Sequence, residues 1–281
     1  MNHKYQKQHR LAQIYLKQFG YKVDNEYWLS VLKIGTGITE NLRIQSFTAE
    51  TNIFDLPVVD DDNTKRHFEI LSGKIENLYP TVISNLHNQG MLTGKNKDVL
   101  NHFVANLLCK TQPFRELLSM FLNDAITRND LIKEVTMFSG DREEMKSTLD
   151  RFHPDFELNV FIGWVMNHLV NVFSNFYKVI IKDFGNNGWV TTDNPVFVEK
   201  QGHHEWLIPI EAEIYLPLSK DFCLFMFHPD SEQSQNPLRL LHRDKVNKID
   251  FDTFDSISKQ IGRNFHEYII LSGKIEPTKT S

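Results

Sequence analysis

Hydrophobic positions recur along this chain in two rhythms. Leu11, Ile14, Tyr15 and Phe19 fall at helical spacing within residues 5–19, and Gly20 follows as a stop, so a first helix is predicted there. EYWLSVLKI (26–34), a Gly-Thr-Gly turn at 35–37 and ITENLRIQSF (38–47) predict a β-hairpin or a pair of edge strands. NIFDLPVVDDDNTK reads as a loop whose acidic run, Asp60 to Asp62, faces water. From Arg66 to Asn88, Phe68, Ile70, Leu71, Ile75, Leu78 and Ile83 predict helix that Pro80 breaks or kinks. Val99 through Leu108 and Phe114 through Leu122 form two further apolar stripes, with a kink or break at Thr111-Gln112-Pro113. A polar connector around Gly140 leads into a predicted helix from Phe156 to Lys182.

After Gly188 the rhythm changes. WVTT, PVFVE, EWLIPI, EIYLPL and FCLFMF are short runs rich in β-branched and aromatic residues, which predict an antiparallel meander. Asp252 to His266 reads as a last helix and Tyr268 to Leu271 as a closing strand. A helical middle packed on a mostly antiparallel sheet is an α+β fold. It is expected as one large domain over residues 1–281, or as two closely joined parts, 1–184 and 185–281.

Composition narrows the partners. Hydrophobic residues make up 41% of the 281-residue chain, enough for a sizeable core. The net charge of -5 provides no global basic surface to attract nucleic acid. The most apolar stretch, Val160 to Lys182, carries Asn167, Asn171, Asn175 and Lys178 as one polar stripe, so no membrane span is expected. Cys109 and Cys223, in LLCK and FCLF, read as buried thiols of a cytoplasmic protein. The basic N-terminus has no apolar run behind it and does not read as a secretory signal.

Four blocks carry a resemblance: HRLAQIYLKQF (9–19), AETNIFDL (49–56), FVANLLCKTQPFRELL (103–118), and WVTTDNPVFV with EIYLPLSKDFCLFM. In this order they resemble the motifs of a mainly bacterial group, domain-of-unknown-function family 4238. Ala12 stands where that family often has Pro, Lys110 where it often has Arg, and Thr192 where it often has Ser. The resemblance implies a fold and site positions and names no reaction.

The polar residues of these blocks are the candidates for chemistry. Asp193-Asn194-Pro195 is good turn chemistry, and it is also a carboxylate and a carboxamide at a strand end, where sites commonly lie. His9 and Gln13, four apart, would share a helix face, with His9 as acid or base and Gln13 holding substrate or the imidazole. Alternatively, His9 makes a buried structural hydrogen bond. Lys110, Thr111 and Arg115 cluster around the Pro113 break, where two cations beside a helix N-terminus suit an anion, or else form the solvated basic end of one helix. Glu50 is a capping or ion-pairing group, or a second carboxylate beside Asp193. Ser219 lacks a nucleophile elbow and reads as structural. His203-His204-Glu205 has no metal-ligand spacing, and neither a metal nor a cofactor is signalled.

Two functions are therefore expected to compete. One is a hydrolase, such as a nuclease, acting on a phosphate-containing substrate that is a small molecule or nucleic acid. There His9 and Asp193 would be catalytic, and Gln13, Asn194, Lys110, Arg115 and Glu50 would bind substrate. The other is a binding or regulatory module in which these polar residues satisfy one another.

Overall fold

The computed structural model describes residues 7–57, 59–136, 146–147, 149, 154–183, 185, 187–199, 208–231 and 236–276. The connector around Gly140, residues 205–207 of EWLIPI, and His203-His204-Glu205 lie outside the described residues.

The chain enters on strand β1 (Lys7–His9) and makes only one helical turn, α1 (Gln13–Leu16). The expected helix over 5–19 is thus corrected. The backbone of β1 pairs antiparallel with β5 (Ala49–Thr51), and that ladder claims residues the periodicity assigned to helix. The pattern did identify core positions, since Leu11, Tyr15, Leu16 and Phe19 are all fully buried. Gly20 does end the helical turns, its N–H donating to the Leu16 carbonyl at 3.0 Å just before β2, and it has a packing role as well. A Cβ there would lie 2.6 Å from the Trp28 carbonyl oxygen, so a side chain would push the neighbouring strand away.

Strands β2 (Tyr21–Val23), β3 (Glu26–Lys33) and β4 (Ile38–Arg43) follow, and β3 and β4 form the expected hairpin. Gly37 supplies the left-handed residue its turn requires, at φ 66°. Next come α2 (Asp62–Lys65), α3 (His67–Glu76), α4 (Tyr79–Gln89), α5 (Gly94–Lys110), α6 (Gln112–Asn123) and α7 (Ala125–Thr136). Pro80 and Pro113 each sit in the first turn of a new helix, where a missing N–H costs nothing. Both expected breaks are therefore real. Asp60 to Asp62 are exposed, and Asp61 also caps α2 by accepting from the Thr64 N–H at 2.8 Å.

The expected helix from Phe156 to Lys182 is corrected as well. It is helix α8 (Pro154–Ser174) followed by strand β6 (Tyr177–Asp183). An apolar run fits either element, and the β-branched Val179-Ile180-Ile181 takes the extended form between two neighbouring strands. Lys178 leaves the supposed polar stripe. Its Nζ instead donates to the Phe173 and Phe176 carbonyls at 2.9 and 2.8 Å, closing the end of α8.

The remaining elements are β7 (Thr191–Thr192), β8 (Phe197–Glu199), β9 (Glu213–Pro217), β10 (Cys223–Phe227), β11 (Val246–Ile249), helix α9 (Phe251–Ile261) and β12 (Tyr268–Leu271). They do not form one meander. One sheet has the order β11-β6-β10-β9-β8, with only the β11–β6 pair parallel. The other runs β2-β3-β12-β7 with β4 on β3. WVTT therefore enters a different sheet from PVFVE, and the Asp-Asn-Pro turn carries the chain from one sheet to the other. The fold is α+β. A single hydrophobic cluster extends from Leu11 to Ile270 and draws on residues of both 1–184 and 185–281. No helix among the described residues is long and apolar enough to cross a membrane.

Candidate functional site

The sheet-to-sheet turn is held by its own polar atoms. Asp193 Oδ1 accepts from the His266 N–H at 2.8 Å, and Oδ2 accepts from the N–H groups of Glu267 at 2.8 Å and Tyr268 at 3.2 Å. Burial pushes the Asp193 carboxyl above its usual range, while these three donors pull it back. The Asn194 amide donates to Asn264 Oδ1 at 3.1 Å, and Asn264 Nδ2 donates back to the carbonyls of Asn194 and Val196. Thr192 Oγ1 donates to the Asn264 carbonyl at 2.6 Å. Asp193 and Asn194 thus clasp the strand-entry segment 264–268.

His9 lies elsewhere in the hydrogen-bond network. Its Nε2 is 2.7 Å from Gln13 Nε2, and its Nδ1 is 3.4 Å from the Phe47 carbonyl. Both contacts are satisfied by one tautomer, with Nδ1–H donating to the carbonyl and Nε2 accepting from the amide. In that tautomer the imidazole is neutral. Its pKa is lowered, first by burial and further by the Lys110 charge, against the raising effect of the Phe47 carbonyl. His9 and Gln13 do meet as the sequence implied, although across a strand-to-helix corner. His9 shares no hydrogen bond with Asp193 or Asn194.

Lys110, the last residue of α5, is 2% exposed. Its Nζ donates to Ser72 Oγ at 3.1 Å and Glu76 Oε1 at 3.3 Å, and lies 3.2 Å from Glu69 Oε1. Burial raises the Glu69 pKa, and Lys110 opposes that. Two carboxylates on α3 therefore already neutralise this ammonium. The Phe54 ring lies 5.0 Å from Lys110 Nζ on one count and 5.2 Å from the Arg115 guanidinium carbon on another, so it touches both cations.

Arg115, in the first turn of α6, is placed differently. It is 8% exposed and borders a cavity of about 320 Å³ between β5, the loop after it and the start of α8. Glu50, Asp55, Lys65, Asp155 and Asn159 share that lining. Nη1 donates to Asn159 Oδ1 at 3.0 Å. Among the described residues Nε and Nη2 have no hydrogen-bond partner. Asn159 Nδ2 in turn donates to the carbonyls of Ile53 and Asp55 at 3.2 and 2.7 Å, so one carboxamide ties Arg115 to the loop. Burial, aided by nearby Arg10, pushes the guanidinium pKa down to about 10, while Asp155 and Glu50 push it up. Arg115 therefore remains a cation at neutral pH. Glu50 pairs with Arg10 at 2.5 Å, which is the ion-pair role among its expected alternatives.

The seven residues singled out in the sequence thus divide. Glu50 and Arg115 share the cavity, Lys110 touches the same Phe54 ring, His9 and Gln13 form a pair nearby in the chain fold, and Asp193 with Asn194 form a separate clasp. Sequence reasoning passed over Asp55 and Asn159. Asp55 stands inside the AETNIFDL block directly after Phe54, and Asn159 is a lone carboxamide in an apolar helix, 5% exposed. A buried amide in such a stripe signals a fixed polar partner.

A larger cleft of about 460 Å³ lies between β8, β9 and α9. Its buried carboxylate, Glu213, already pairs with Arg239 at 2.7 Å and accepts from Asn236 at 2.7 Å. The smaller cavity is the stronger site because two buried charged side chains border it, Arg115 and Asp55, and among the described residues neither has an ion pair. Among the described residues no three His, Cys, Asp or Glu side chains converge as metal ligands. Ser219 Oγ accepts from the N–H groups of Asp221 and Phe222 within a turn, which is the structural role expected of it.

Searches of curated proteins and of solved structures returned no match. The family model described as Protein of unknown function (DUF4238) matches residues 7–268, which is most of the chain, and the chain belongs to that family.

Proposed function

We propose that this protein binds a small anionic ligand, carboxylate or phosphate, in the Arg115 cavity. One observation carries the reading. A guanidinium buried to 8% exposure borders an open cavity with a single hydrogen bond to the described residues, leaving donors directed at no protein acceptor. A planar fork of this kind suits a bidentate anion. The Asn159 bridge to the Ile53 and Asp55 carbonyls fixes its position in advance, which lowers the ordering cost of binding.

This favours the binding module over hydrolysis of a phosphate substrate. A hydrolase centred on His9 and Asp193 would need a proton acceptor near the bound anion. His9 Nε2 is engaged by Gln13, and Asp193 by three backbone N–H groups. Hydrolysis stays as the second reading because Asp55 shares the Arg115 cavity, so a base and an anion-stabilising group border one space. A cytoplasmic location belongs to the same proposal, supported by two buried unpaired cysteines.

The test is thermal unfolding in phosphate and in acetate against chloride at matched ionic strength. Saturable stabilisation of wild type, lost in Arg115→Gln, is expected from mass action on the native state. Equal stabilisation of the variant would assign the effect to salt exclusion and overturn the reading. Turnover of a simple phosphodiester that disappears in Asp55→Asn would move the proposal to hydrolysis.

A further inference from the structure

The cavity carries a second charge of opposite sign that the anion-binding reading leaves unused. Asp55 is 6% exposed and borders the same space. Its Oδ1 accepts from Gln8 Nε2 at 2.5 Å, a neutral donor that brings no countercharge. Among the described residues Oδ2 has no hydrogen-bond partner, and no salt bridge reaches the carboxylate. Arg115 does not supply one. Among the described residues its side chain's only hydrogen bond goes to Asn159, and the charges acting on its pKa are Arg10, Asp155 and Glu50.

Two buried groups of opposite sign therefore face one cavity without meeting. Burying a charge without a partner is costly, and two such groups usually find each other when the chain allows it. Here the chain does not allow it. Gln8 fixes one end, because its Oε1 also accepts from the Phe54 N–H at 2.7 Å. Asn159 fixes the other by holding Arg115 to the carbonyls of residues 53 and 55. The loop between β5 and α2 is thus pinned from both sides, with the carboxylate and the guanidinium bordering one cavity and no ion pair between them.

We infer that the ligand is a small zwitterion, with its carboxylate or phosphate on Arg115 and its ammonium on Asp55. This rests on the anion-binding reading and adds the second pole. A cavity of about 320 Å³ lies at the lower end of ligand pockets, which suits a compact molecule with a few atoms between its charges. A simple anion satisfies Arg115 and leaves Asp55 as it was. A simple amine does the reverse. Only a molecule carrying both charges neutralises both walls.

The experiment uses isosteres and the full-length protein. Calorimetric titrations compare 4-aminobutyrate with butyrate and butylammonium, and phosphoethanolamine with ethyl phosphate. At least one zwitterion is expected to bind wild type about ten-fold or more tightly than its isostere lacking the ammonium, a difference of about 1.4 kcal/mol. Asp55→Asn, which keeps an acceptor for Gln8, should remove that preference while leaving weak anion binding. Arg115→Gln should remove both. Equal binding of zwitterion and matched anion by wild type overturns the zwitterion inference and leaves the anion site standing. A preference that survives Asp55→Asn also overturns it. If wild type binds neither zwitterions nor anions, both readings fall. The wild-type comparison decides even if a variant fails to fold.

Discussion

Replacing Asp193 by alanine tests whether the turn between the two sheets is scaffold. The substitution removes the acceptor for three backbone N–H groups, those of His266, Glu267 and Tyr268. An orphaned buried donor costs about 1–3 kcal/mol. His266 and Glu267 are exposed residues, so water replaces part of the loss, and a total of about 2–4 kcal/mol is expected rather than three full penalties. Asp193→Asn should be milder, at about 1–2 kcal/mol, because a carboxamide oxygen still accepts the two N–H groups that share Oδ2, while its NH2 leaves the exposed His266 N–H to water. It also removes a charge that burial disfavours, as the raised carboxyl pKa indicates. Urea denaturation at neutral pH measures both, with m-values reporting whether the transition stays two-state. The effect should be a weakened entry into β12, and ligand binding at the Arg115 cavity should survive in the folded fraction. Alanine within about 0.5 kcal/mol of wild type would refute the clasp, as would an asparagine variant less stable than the alanine one.

Two further substitutions probe the other buried polar groups. Lys110→Met leaves Glu69 and Glu76 facing each other without their cation and should cost about 2–3 kcal/mol, reduced from the fully buried value because both carboxylates are partly exposed. Adding Glu69→Gln and Glu76→Gln should recover most of it, and no recovery would mean that Lys110 acts through packing alone. For His9 the sign follows from its lowered pKa. Below 6.5 the unfolded chain takes up a proton before the folded one does, so folding stability falls as pH drops from 6.5 towards the folded value. Urea midpoints of wild type and His9→Gln between about pH 7.5 and about pH 5 should therefore diverge in favour of the variant on acidification. Parallel pH curves would show that the two states bind the His9 proton equally.

How much of this was legible depended on whether a residue's role was local or distant. The β3–β4 hairpin, the two proline-started helices and the closing strand β12 all announce themselves through neighbours in sequence. Turn residues, period and proline placement are local signals. The first helix and the long helix were misjudged where distant pairing decided the outcome. β1 is a strand because Ala49–Thr51 lies beside it, and β6 is one because β10 and β11 flank it. The same distinction applies to the site. Arg115 and Glu50 were visible as charged residues in recognisable blocks. Asp55 becomes chemically notable only once Gln8 occupies one of its oxygens and Asn159 fixes the backbone next to it, contacts that span 47 and 104 positions.

The distant blocks of the chain do converge, through a residue that invites little functional suspicion. Tyr15 is fully buried, and its hydroxyl lies 2.6 Å from Thr191 Oγ1 while donating to the Pro217 carbonyl at 2.9 Å. Its ring lies 5.2 Å from Phe19 and 6.1 Å from Phe103, and Tyr79 stacks on Phe103 at 3.9 Å. The first block, the helical block and both strand blocks therefore meet at one phenol. A tyrosine can do this because it buries a large apolar ring and still needs hydrogen-bond partners at its tip. The AETNIFDL block stands outside that hub and meets the helical block at Phe54, against Lys110 and Arg115. The blocks of this chain thus serve two ends. Most join the sheets and helices around Tyr15, and the segment carrying Glu50, Phe54 and Asp55 forms one wall of the cavity where the unpaired charges lie.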